Sequence, residues 1–87
     1  MINIIYNEAG QDMVLRAEGH AEYAPKGQDI VCAAVSALML SLACSVDGES
    51  AVQDGEGVLT VKAVQSCDNS AKFELVMDGL YLLAQQY

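Results

Sequence analysis

Gly19 to Leu38, GHAEYAPKGQDIVCAAVSAL, holds the only histidine and the only proline of this chain and sets a cysteine near the start of a long apolar run. Its reading decides where the first helix lies and what that helix presents. Asp29, just before the run, is a good N-cap, because its carboxylate can accept hydrogen bonds from the first unpaired backbone N–H groups. With Asp29 as cap, Cys32 occupies the third helical position. The N–H groups of a first turn have no intrahelical partners and carry the positive end of the helix dipole. Both features favour an anion, whether a thiolate or the oxyanion formed when a peptide carbonyl is attacked. Cys32 is therefore a candidate nucleophile, and His20 is the one imidazole that can serve it as proton-transfer partner. Between them, the polar connection Ala21 to Gln28, punctuated by Pro25 and Gly27, is expected to form a flexible loop able to close over a substrate.

Plainer readings stand beside these. A cysteine in Ile30-Val31-Cys32-Ala33-Ala34-Val35 is often a small buried hydrophobe, and a lone histidine after a strand is often merely exposed. It is their joint placement, one at a strand end and one at a helix start, that favours the chemical reading.

Outward from this stretch, Ile30 to Val46 contains no charged residue. It is short for a membrane span and carries Ser36, Ser41 and Ser45, whereas a span needs about twenty predominantly apolar residues. A buried central helix fits better. Val31, Leu38 and Leu42 fall on one side, while Val35, Met39 and Val46 broaden the stripe, so more than one partner must cover it. A sheet can take one side and a second helix or a neighbouring subunit the other, which predicts a homodimer.

Upstream, Ile2, Ile4 and Tyr6 alternate with Asn3 and Asn7, and Met13, Leu15 and Ala17 alternate with Asp12, Arg16 and Glu18. These are two strands of a hairpin joined across Asn7 to Gln11, with Gly10 giving the connection its backbone freedom. Downstream, a short strand is expected over Ser50 to Gln53 and a half-buried strand from Val58 to Val64, separated by the turn Asp54-Gly55-Glu56-Gly57. Cys67-Asp68-Asn69-Ser70 reads as a loop and cap. From Ala71 to about Gln86, Phe73, Val76, Met77, Leu80, Leu83, Ala84 and Tyr87 recur at helical spacing. Gly79 within this helix costs about 1 kcal/mol relative to alanine, and close packing against the first helix is the expected reason for it. Tyr81 and Leu82 face away from the stripe and suit a dimer surface. The predicted fold is α+β, two-layered, with a small antiparallel or mixed sheet carrying two helices on one face in the order β-β-α-β-β-α. One domain spans residues 1–87.

The string Gly19-His20-Ala21, Gly27, then Asp29-Ile30-Val31-Cys32-Ala33-Ala34-Val35-Ser36-Ala37-Leu38 closely resembles the signature of the ribosomal-processing cysteine proteases, the Prp family. The motif covers about a quarter of the chain, with weaker likeness in the opening strand and in the Gly79-Leu80 to Tyr87 tail. The chain is short beside that family, with clipped middle strands. The resemblance implies a His–Cys dyad endopeptidase that removes the N-terminal extension of bacterial large-subunit ribosomal protein twenty-seven, with His20 as base and Cys32 as nucleophile. Asp29 and Ser36 match supporting positions of the motif, and the family substrate's apolar segment implies a hydrophobic groove beside Cys32. The alternative is a non-catalytic module of the same fold that binds a ribosomal protein. A thiol-redox protein ranks last, since no resolving cysteine lies nearby in sequence.

Composition bounds the rest. Among 87 residues, 53% are apolar and the net charge is −8, with four Lys and Arg in all. So few cations argue against direct nucleic-acid binding and suit a basic protein partner. Cysteines 32, 44 and 67 form no CxxC pair, and one histidine completes no spaced ligand set, so neither metal nor cofactor is expected. An odd cysteine count without a secretory leader points to a cytoplasmic protein.

Overall fold

The computed structural model describes residues 2–19, 26–46, 51–52 and 58–86. Its elements follow the expected order: β1 (Asn3–Ala9), β2 (Asp12–Glu18), α1 (Lys26–Ser45), β3 (Ala51–Val52), β4 (Val58–Val64) and α2 (Cys67–Gln86). The strands form one antiparallel sheet in the order β1-β2-β4-β3.

Alternation in β2 and β4 sets the register. Met13 pairs with Ala63, Leu15 with Val61 and Ala17 with Leu59, and all six are buried. A slip of one residue would turn the whole set to solvent, so burial and pairing specify each other. On the opposite face, Arg16 pairs with Glu18 and Lys62 with Asp12. These partly exposed ion pairs add little stability.

Both helices cover the apolar face. From α1, Val35, Met39 and Leu42 are buried, as is Val46 just past its end, and Val31 and Leu38 pack at the margin. From α2, Phe73, Val76 and Leu80 complete the core. α1 lies against β3 and β4. α2 lies towards β1 and β2, where the Phe73 ring meets Tyr6 edge-on, with centroids 6.2 Å apart, and Ser70 Oγ approaches Met13 Sδ at 3.9 Å. Lys72 Nζ donates to the Ser45 carbonyl at 2.6 Å. One interval of seven residues further along α2, a Cβ at Gly79 would sit 3.2 Å from Leu38 Cδ1, seven residues back along α1. The helices are therefore antiparallel, and the missing side chain at Gly79 lets Leu38 settle against α2, as the sequence anticipated.

Several boundaries differ from expectation. The hairpin connection is only Gly10-Gln11, with Ala9 opposite Asp12. Gly10 has φ 63° and Gln11 does not share a positive φ, the pattern of a type II′ turn, whose twist matches the flanking strands. α2 begins at Cys67 rather than Ala71, because Ser66 Oγ accepts the Asn69 N–H at 3.0 Å and acts as the cap. The buried Asn69 side chain also donates to the Val64 carbonyl at 2.9 Å, tying the helix start to the end of β4. β3 is described at Ala51–Val52, inside the expected strand, whose end residues Ser50 and Gln53 and the following turn Asp54 to Gly57 lie outside the described residues. α1 begins at Lys26, taking in Gly27 and Asp29, which the sequence reading assigned to a loop and to the cap. Proline is well accommodated at a helix start, so Pro25-Lys26-Gly27-Gln28 is as compatible with helix initiation as with the loop expected from its punctuation.

Candidate active site

β2 delivers the chain to this region at Gly19, where φ is 86°. That conformation disfavours any residue with a Cβ and redirects the backbone immediately before His20. His20, Ala21 and Pro25 lie outside the described residues.

Cys32 is carried by α1 and is half-buried, between Val31, which packs at the core margin, and the exposed Ala33. With α1 starting at Lys26, Cys32 is the seventh helical residue rather than the third. Its own N–H belongs to the helical ladder, and the unpartnered N–H groups of the first turn precede it. Dipole effects fade within that turn. The helix end therefore does not bear directly on the Cys32 sulfur in the way the sequence suggested, and any activation of the thiol falls to side-chain partners.

Position around the helix gives Cys32 its second property. At about 100° per residue, Leu38 lies on the flank of the buried stripe that meets Gly79 of α2. Cys32 and the half-buried Ser36, one turn apart, fall on the opposite flank, away from α2. Residues i and i+4 on one face are neighbours, so Ser36 is placed to face whatever Cys32 faces. The sulfur is neither sealed in the core nor free on the surface. Its helix is anchored by three buried side chains, which suits a nucleophile that must hold its aim.

Cys44 and Cys67 are exposed, and all three cysteines are unpaired thiols. A shallow depression of about 540 Å³, lined by Gln65, Ser66, Cys67, Ser70, Ala71 and Glu74, opens at the start of α2. Because α2 runs antiparallel to α1, this depression lies towards the far end of the helix pair from Cys32. Among the described residues no cluster of His, Cys, Asp or Glu is arranged to hold a metal ion, and no helix is long and apolar enough to cross a membrane. The conformation of Gly19 was not read from the sequence. A glycine at a strand end, directly before a candidate catalytic residue, was the available signal.

Comparison with known proteins places this geometry. The family described as cysteine protease Prp matches over residues 1–87. Among solved structures, the essential ribosomal processing protease Prp from S. aureus, in complex with a substrate peptide, superposes with a TM-score of 0.76. It is 21% identical, covering 100% of this chain and 92% of that one. SMU.848 from Streptococcus mutans gives 0.75 at 23% identity, covering 99% of this chain and 85% of its own. No curated protein sequence matches.

Proposed function

The chain belongs to the cysteine protease Prp family, and we infer from that membership that it is a cytoplasmic endopeptidase, a single domain over residues 1–87, acting through His20 and Cys32. The observation that carries the reading is the family match along the whole chain, joined to a half-buried Cys32 on a well-anchored helix. The substrate is the N-terminal extension of bacterial large-subunit ribosomal protein twenty-seven. The substrate peptide and ribosomal-processing role of the S. aureus neighbour support this choice, as does a net charge of −8 facing a basic partner.

In the mechanism, Cys32 Sγ attacks the scissile carbonyl carbon as His20 takes the thiol proton. The tetrahedral intermediate collapses, the C–N bond breaks, and His20 returns that proton to the departing amine. A thioester remains. Water, deprotonated by His20, then attacks the thioester carbonyl, the C–S bond breaks, and the proton passes from His20 to the sulfur as the product leaves as a carboxylic acid, which ionises in solvent. Asp29, in the first turn of α1, and Ser36, one turn beyond Cys32, support the site, and the segment containing Ala21, Pro25 and Gly27 contributes to substrate enclosure. No cofactor or metal enters the reaction. The active form is a homodimer to which exposed apolar residues such as Tyr81 and Leu82 contribute.

Cleavage of a peptide spanning the processing site tests the assignment. Wild type should cut it and Cys32→Ala should not, with loss of turnover of at least about a hundredfold. Equal turnover in both would exclude Cys32 as nucleophile, and binding without turnover by wild type would replace the protease with a binding module.

A further inference from the structure

Val35, Met39 and Leu42 turn one side of α1 to the core, and Leu38 marks the flank that meets Gly79 of α2. A rotation of about 100° per residue then puts Ala43 on the other flank, with Cys32 and Ser36. Leu40, one turn beyond Ser36, stands at the solvent rim of that flank and is 49% exposed. Cys32, Ser36 and Leu40 follow one another at intervals of four, the spacing that makes a continuous ridge along a helix. Ser36 and Ala43 are small and half-buried, so the surface dips to a shelf between the thiol and Leu40.

This shelf lies on the open side of α1. Among the described elements α1 has α2 beside it on one flank only, and of the two strands beneath it, β4 and β3, the second is the last of the sheet. No residue from Ile30 to Val46 is charged. The shelf is thus an uncharged, partly aliphatic surface that begins at the sulfur.

Topology sets the direction in which a substrate would run along it. Ser45, at the end of α1, accepts a hydrogen bond from Lys72 near the start of α2, and α2 starts where β4 ends, beside Gln11. α1 therefore begins at the opposite end of the sheet, where β2 gives way to Gly19. A proton donor one residue past Gly19 approaches the sulfur from that end and meets the leaving amine there. The acyl half of the substrate then runs the other way, down α1 past Ser36 to Leu40. From Cys32 to Leu40 the helix advances about 12 Å, a distance that an extended chain covers in roughly three to four residues.

We propose that Leu40 is a specificity-determining residue: above the shelf formed by Ser36 and Ala43, it receives an aliphatic side chain roughly three or four positions before the scissile bond. The assignment rests on the protease reading above and adds to it a substrate position and the residue that reads it.

The test uses full-length wild type, Leu40→Asp and Leu75→Asp with peptides spanning the processing site, in which the third and the fourth residue before the cut are set in turn to leucine, alanine or lysine. Leu40→Asp should lower kcat/KM for the leucine peptide roughly tenfold or more, chiefly by raising KM. Lysine at one of the two positions should restore it, because opposite charges then meet. Leu75→Asp, on α2 at a position 72% exposed, should match wild type, and circular dichroism should be unchanged in both variants. A loss in Leu40→Asp that is equal for every peptide, whether direct or through the splitting of a dimer that covers Leu40, would overturn the assignment while leaving the protease in place. So would no loss at all. Wild type that cuts none of the peptides would remove the protease reading and this assignment with it.

Discussion

At the scale of single residues, Tyr6 shows how a half-buried polar group ties stability to pH. Its hydroxyl donates to Glu8 Oε2 at 2.9 Å. Burial first, then the hydrogen bond to Glu8 and the charge of that carboxylate, raise its pKa above the ordinary phenol value of 10.0. A folded state that holds the proton more tightly than the unfolded chain keeps this contribution in full below the unfolded pKa. It loses the contribution as pH rises through the folded one. The wild-type melting temperature should therefore fall more steeply than that of Tyr6→Phe above about pH 10, and parallel profiles would show that the phenol does not matter. Gly79 makes a different point. Alanine there recovers about 1 kcal/mol of helix propensity but sets its Cβ 3.2 Å from Leu38 Cδ1, the movable end of a half-buried side chain. Gly79→Ala should change unfolding free energy by less than about 1 kcal/mol, whereas Gly79→Val should cost about 1–3 kcal/mol by crowding the helix contact.

At the scale of elements, α2 explains what the sequence could and could not disclose. Its interior was legible because Phe73, Val76 and Leu80 recur at a period only a helix satisfies, and all three are buried. Its start was not. Ser66, Asp68, Asn69 and Ser70 can each cap a helix, and the choice of Ser66 depends on Asn69 reaching the Val64 carbonyl, a contact that exists only once β4 is in place. Ser66→Ala should destabilise the fold by about 1 kcal/mol, read as a lower denaturant midpoint at unchanged slope. No change would mean that Asn69 alone holds this end. At α1, Pro25 and Gly27 read as punctuation and place the helix start three residues past Gly27. That puts Cys32 in the first turn, although it lies deeper. Its residence on an apolar helix, half covered, was readable from Ile30 to Val46 alone.

At the scale of the whole molecule, two inner strands with matched alternation, β2 and β4, were enough to foresee the sheet and the face on which the helices sit. The order β1-β2-β4-β3 required knowing that the chain passes over the sheet in α1 before returning beside β2, which no local pattern encodes. The same order makes β2 a strand held on both sides, with seven paired positions towards β1 and seven towards β4. In deuterated solvent, its amides should be among the last to lose their protons, exchanging at rates near those of global unfolding, while those of the last turn of α2 go early. Uniform exchange across strand and helix end would refute this. Clamped along both edges as far as Glu18, that strand gives the backbone leading up to His20 a fixed point of departure, and the positive φ of Gly19 turns the chain out of the sheet just before the imidazole.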